Sequence, residues 1–135
     1  MDVFTPAQRS AVMRRVHSEN TAPEMAVRRL VHGLGYRYRL HDHSLPGRPD
    51  LVLPRLRAAI FVHGCFWHQH TCEAAARPAS RSEYWNAKLD RNAARDRKNL
   101  RLLRMSGWAT LVVWECQTRR LERLEKRLRA FLESR

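Results

Sequence analysis

Four side chains able to bind metal restrict this chain more than any other pattern in it, because together they would tie one loop to one strand end. Cys65, His70 and Cys72 form a C-x4-H-x-C run inside HGCFWHQHTC, residues 63–72, and Cys116 stands just past the apolar run WATLVVW. Cys3His is one of the closed tetrahedral sets that hold structural zinc, with no coordination position left open for catalysis. Such binding contributes on the order of 10 kcal/mol to folding, enough to clip a long loop onto the strand layer of a small domain. Reactive or merely buried thiols are the competing reading, since cysteines are often buried. The odd cysteine count and an amino terminus, MDVFTPAQRS, without an apolar signal core lead us to expect a reducing cytoplasm. There a Cys/His cluster reads as a metal site before a disulfide.

Around that loop the chain reads as one domain of order ααβββαβα, an α/β mixed sheet flanked by helices. Thr5-Pro6-Ala7-Gln8 is a capping box that predicts a basic helix over residues 6–17. A second box, Thr21-Ala22-Pro23-Glu24, opens a helix whose Val27, Leu30, Val31 and Leu34 keep the spacing of a buried stripe, stopped by Gly33 to Gly35. Glu24 is explained there as the reciprocal partner of its box. Tyr36, Tyr38 and Leu40 alternate with Arg37 and Arg39 as in a half-exposed strand, and HSLPGRP follows as a turn-rich loop. Residues 50–53 and 57–62 read as the next strands, Ser82 to Met105 as a long helix with Gly107 beyond it, and residues 108–114 as a buried strand. Leu121, Leu124, Leu128 and Phe131 line one side of a last helix. At 135 residues, without repeat or linker, one shared core is expected.

Twenty-six Lys and Arg stand against 13 Asp and Glu, a formal charge of +13, while 44% hydrophobic residues suffice to build a core. A folded chain so basic selects a polyanion as partner. Nucleic acid outranks membrane because no long apolar run is present.

The remaining polar residues suggest a second centre. Asp50 opens one strand and His63 closes the next, so a carboxylate, a main-chain carbonyl and an imidazole can meet there, a set that suits a hard cation such as Mg2+. Asp50 reads equally well as a strand-start residue. In the long helix, Trp85, Leu89, Asn92, Asp96, Leu100 and Leu103 follow steps of four, three, four, four and three, which places Asn92 and Asp96 on the inward stripe. A buried aspartate needs a partner, either a histidine of the metal loop or one of the many arginines. Lys88, Arg91, Arg95 and Lys98 occupy another face, suited to phosphates or simply solvated. A zinc deaminase is disfavoured, because its H-x-E and P-C-x-x-C signals are missing.

LPGRPDLVLP, IFVHGCFWHQHTC, EYWNAK, RDRKNL and VVWEC together resemble the very short patch repair endonucleases, over most of the chain from Met13 to Cys116. The resemblance implies a restriction-endonuclease-like, PD-(D/E)xK-type fold with structural zinc. It also implies Mg2+-dependent nicking beside the thymine of a T:G mismatch, the lesion left when 5-methylcytosine deaminates. By position it makes Asp50 and the Val62 carbonyl the Mg2+ ligands, and His68 the base that activates water, with Asp96 orienting it. His63 acts at the scissile phosphate or leaving oxygen, and Glu24 is a further active-site acid. Phe66, Trp67 and Trp85 resemble intercalating side chains, with Met13 entering from the opposite groove. The bland alternative makes these aromatics the hydrophobic shell of the zinc loop. Residues 1–20 are then a DNA-contacting helix and 63–77 the zinc loop of a monomeric, cytoplasmic bacterial protein acting at the nucleoid. A functional link to a cytosine methyltransferase and mismatch-repair proteins follows. The rivals are a nuclease of the same fold without mismatch selectivity and a zinc-stabilised DNA-binding module without catalysis.

Overall fold

A computed structural model describes residues 19–135 of the chain. The helix expected over residues 6–17, with Met13, lies outside the described residues. Helix α1 (Ala22–Gly33) starts where the capping pattern places it, with the Thr21 side chain accepting from the Glu24 N–H at 3.3 Å. Only half of the expected box forms. The Glu24 carboxylate does not reciprocate at Thr21 but accepts from the N–H of Asn20, one residue earlier, at 3.3 Å, and its second oxygen meets Arg28 and His41.

Four strands follow in the spatial order β1-β2-β3-β4. They are β1 (Arg39–Leu40), β2 (Leu51–Leu53), β3 (Ala58–His63) and β4 (Ala109–Trp114). The first three form an antiparallel meander, and β4 returns parallel to β3, from Ala58↔Ala109 to His63↔Trp114. Parallel pairing requires a crossover. Helix α2 (Ser82–Met105) supplies it and has the bounds the sequence predicts. The expected strand from Tyr36 shrinks to two residues. Tyr36 and Tyr38 pack on the core, but the chain meets β2 only at Arg39 and Leu40 before turning away at His41, whose φ is 48°.

The core lies between one face of the sheet and two helices. Val27 and Val31 of α1 meet Leu51, Leu53, Ile60 and Val113 of the sheet and Leu124, Leu128 and Leu132 of α3 (Leu121–Glu133). A second cluster, Trp67, Trp85 and Leu89 with Phe66 against it, joins the loop after β3 to the start of α2. Between β1 and β2 the HSLPGRP loop closes down on α2. Gly47, at φ +76°, sits where a Cβ would come within 3.0 Å of both the Asn99 Cβ and the Phe61 ring, so only glycine lets the backbone approach. That approach fixes the strand start from which Asp50 projects. No helix among the described residues is long and apolar enough to cross a membrane.

Candidate active site

A cleft of about 420 Å³ opens at the ends of β2 and β3, lined by residues including Glu24, His41, Asp50, Val62, His63, His68 and Asp96. Five positions predicted as catalytic therefore share one wall system with Val62. Asp50 Oδ2 accepts from the Val62 N–H at 2.7 Å, standing in for the ladder partner that β2 no longer offers. Burial pushes the Asp50 carboxyl up to about 6, against the Val62 hydrogen bond that favours its charge, and the neighbouring Glu24 pushes the same way as burial.

On the opposite wall His68 Nδ1 meets Asp96 Oδ2 at 2.5 Å. The helical stripe thus does bring Asp96 inward, and its partner is an imidazole rather than an arginine. Donation from Nδ1 to the carboxylate leaves Nε2 as the acceptor, the tautomer that a proton-abstracting histidine needs. His63 stacks on His68 with ring centroids 3.9 Å apart and planes 9° apart, and meets the edges of Phe61 and Trp114 at 5.6 and 5.3 Å. Burial first, and His68 second, press the His63 pKa down to about 3, with Asp96 opposing. At neutral pH it is therefore an uncharged ring, able to donate or accept a hydrogen bond but not to act as a cation.

Behind this wall Cys65, His70, Cys72 and Cys116 bring one donor atom each within 4.8 Å of all the others. His70 Nδ1 lies 3.8 Å from Cys65 Sγ and 3.5 Å from Cys116 Sγ. Tetrahedral zinc with ordinary Zn–S and Zn–N bonds puts a nitrogen and a sulfur about 3.6 Å apart, so the residues fit that ion. Burial, opposed by a hydrogen bond from the Cys116 N–H and reinforced by the adjacent thiols, pushes Cys65 up to about 12. A cation is what makes a thiolate affordable there. The Cys65 N–H also donates to the Glu115 carboxylate at 3.4 Å.

The aromatic residues of the same loop cluster against the start of α2. Phe66, Trp67 and Trp85 meet at centroid distances of 5.0 to 5.9 Å, and Trp67 and Trp85 are each only 7% exposed. In this conformation they are a packed cluster, and Phe66 is the more accessible ring. Asn92 donates to the Trp67 carbonyl at 3.3 Å, which accounts for its inward position. Arg91, Arg95 and Lys98 are exposed on α2. Lys88 departs from them: it is half-buried, with its ammonium 5.6 Å from the Trp67 ring centre.

Three contributors escaped the sequence reading. His41 Nε2 meets Glu24 Oε2 at 2.8 Å, so the Glu24 carboxylate belongs to the cleft. Trp114 stacks on His70 at 4.4 Å and packs steeply inclined to His63 at 5.3 Å, and thus joins the thiol cluster to the cleft. Arg77 binds Gln69, Asn86 and Asp90, fastening the loop to α2. None of the three has a neighbour in sequence that would mark it.

The chain is 48% identical over 132 residues to the type II nicking enzyme V.XorIIP of Xanthomonas oryzae pv. oryzae, covering 98% of this chain and 97% of that protein. It is 45% identical over 123 residues to the DNA mismatch endonuclease Vsr of Escherichia coli K12, covering 91% and 79%. It is 41% identical over 116 residues to the type II nicking enzyme V.NmeAIP of Neisseria meningitidis serogroup A, covering 86% and 83%. The family model described as DNA mismatch endonuclease Vsr matches residues 1–74, and the chain belongs to that family.

Proposed function

We propose that this chain is a DNA endonuclease of restriction-endonuclease-like fold that nicks one strand beside the thymine of a T:G mismatch, using Mg2+ and stabilised by zinc. The observation that carries this reading is the convergence of Asp50, His63 and the His68–Asp96 pair in one cleft, with an aromatic cluster on the same loop. The names of the relatives, mismatch endonuclease and nicking enzymes, support both the substrate and the cutting of a single strand.

Asp50 and the Val62 carbonyl would hold the divalent ion. In an extended strand the N–H and C=O of one residue face the same side, so a Val62 whose N–H meets Asp50 turns its carbonyl that way too. When bound, the ion neutralises charge developing at the scissile phosphate. His68 Nε2 takes a proton from the attacking water, and Asp96 holds the ring in that tautomer and stabilises the imidazolium that forms. His63, kept neutral, offers a hydrogen bond to the phosphate or leaving oxygen. Glu24 adds a second carboxylate beside Asp50. Cys65, His70, Cys72 and Cys116 hold zinc and so fix residues 63–77 as the loop that carries His63, His68, Phe66 and Trp67.

Phe66, Trp67 and Trp85 insert beside the mismatched pair, where unstacking costs least, exchanging contacts with one another for contacts with bases. Arg91, Arg95 and Lys98, with Lys88 nearer the rings, follow the phosphate backbone. Residues 1–20, with Met13, approach from the other groove. The whole chain acts as a single domain, as a monomer in the bacterial cytoplasm, in concert with a cytosine methyltransferase and mismatch-repair proteins. Nicking of T:G and T:A duplexes of one sequence, with and without Mg2+, tests the reading. Equal cutting of both would leave a nuclease without mismatch selectivity, and no cutting of either would leave a binding module.

A further inference from the structure

The cleft contains a nitrogen donor that the mechanism above does not use. His41 turns Nε2 toward Glu24 Oε2 at 2.8 Å and Nδ1 toward Glu19 Oε2 at 3.4 Å. Its side chain is 12% exposed. Glu24, His41 and Asp50 each place one donor atom within 4.8 Å of the other two. Glu19 is itself held by an ion pair with Arg48, which steadies the carboxylate behind the ring.

This is the disposition of a metal-binding imidazole. One ring nitrogen points into a group of carboxylates, while the other is oriented by a carboxylate outside the group. A buried hydrogen bond between His41 and Glu24 explains the 2.8 Å contact alone. An imidazolium bridging Glu24 and Glu19 would explain both ring contacts, but not why a third donor, Asp50, lies within 4.8 Å of the other two. Arg28 Nη1, 3.2 Å from Glu24 Oε2, takes up part of the negative charge, so two carboxylates give less attraction here than their number suggests. A neutral nitrogen adds no charge to compensate. It adds affinity only for cations that accept nitrogen ligands, which Mg2+ does poorly and first-row transition ions do well.

We propose that His41 is a direct ligand of the cleft's divalent ion, completing a Glu24–His41–Asp50 site that prefers Mn2+ to Mg2+. A cation bound there would replace the proton on Nε2, leaving Nδ1–H to donate to Glu19. The proposal rests on the assignment of Asp50 as the carboxylate that holds the catalytic ion.

Binding of MnCl2 and MgCl2 to the zinc-loaded full chain, measured by titration calorimetry, tests it without reference to cutting. Mn2+ should bind at least about tenfold more tightly than Mg2+, and His41→Gln should abolish that preference while changing Mg2+ affinity by less than about threefold. Bound Mn2+ in the unsubstituted chain should also show 14N spin-echo modulation from an imidazole nitrogen, lost in His41→Gln. Absence of that modulation in the unsubstituted chain, or an unchanged Mn2+ to Mg2+ ratio in the variant, would overturn the role of His41. Binding of both ions unaltered by Asp50→Ala would instead overturn the assignment of Asp50 beneath it. Absence of imidazole modulation in the unsubstituted chain would overturn the proposal even if His41→Gln folds poorly.

Discussion

His68 and Asp96 lie 28 residues apart in sequence and meet through Nδ1 and Oδ2 at 2.5 Å, a loop residue and a helix residue fixed in one orientation. Asp96→Asn keeps the shape of the partner but presents a donor or a weaker acceptor to Nδ1, which releases the tautomer. Single-turnover nicking of a T:G duplex should fall by about 10²-fold or more, with duplex affinity in a gel-shift assay nearly unchanged. Parallel loss of affinity would assign Asp96 to structure instead.

Burial of the Asp50 carboxyl carries a cost in stability. Its carboxyl rises from 3.8 to about 6 in the folded chain, so the folded state binds the proton more tightly than the unfolded one. Its contribution to stability is complete below 3.8 and is lost as pH climbs through about 6. In buffer without added divalent ions, Asp50→Asn should therefore stabilise the chain at pH 7 by roughly 3 kcal/mol, with the gain vanishing at pH 3.5, while nicking is lost. His63, depressed to about 3, works in the opposite direction, losing stability as pH falls below its ordinary value. It is present in parent and variant alike and cancels in the difference. Urea unfolding across pH measures it.

Zinc removal should be felt in the cleft as well as in the fold. Cys72→Ser should lower bound zinc, measured by colorimetric release, and lower the unfolding midpoint. In a sample still folded, His63 and His68 ring signals in NMR should shift, because His70 and His63 both touch Trp114. Unmoved ring signals would show that the two centres are independent.

Trp67→Ala separates wedge from shell. Loss of a stacked aromatic costs about 1–3 kcal/mol per base, so T:G affinity should drop about tenfold or more while matched-duplex affinity changes little. Equal losses on both duplexes would make the ring a structural cover for the loop.

Gly47→Ala places a Cβ 3.0 Å from Asn99 Cβ and the Phe61 ring at a φ of +76°. The loop must lift, so the chain should lose more than about 1 kcal/mol in stability and, with Asp50 displaced, Mg2+ affinity as well. Normal Mg2+ affinity would show that Asp50 is positioned independently of the loop.

The parts of this molecule legible in sequence are those with a local signature. The caps at Thr21 and the long periodicity ending before Gly107 locate α1 and α2 because helices encode themselves every three or four residues. The thiol cluster is legible because three of its four donors are neighbours in the chain. Asp96 is legible because a carboxylate interrupts an apolar stripe. His41 is not, since it stands in the polar run LHDHS and acquires meaning only from Glu24, 17 residues away. Trp114 reads simply as the end of an apolar strand. The half-formed capping box shows the same limit: Thr21 keeps its local bond, but tertiary partners draw the Glu24 carboxylate away.

The last rung of the β3–β4 ladder, His63↔Trp114, gives the cleft a birth order. Its histidines are all synthesised before α2, yet His63 gains its Trp114 contact, and the thiol cluster its fourth member, Cys116, only after 24 residues of helix have crossed over and β4 has docked. A nascent or partly unfolded chain thus carries the cleft's histidines without their arrangement. For a member of an endonuclease family, distant pairing delays completion of the cleft until β4 is in place.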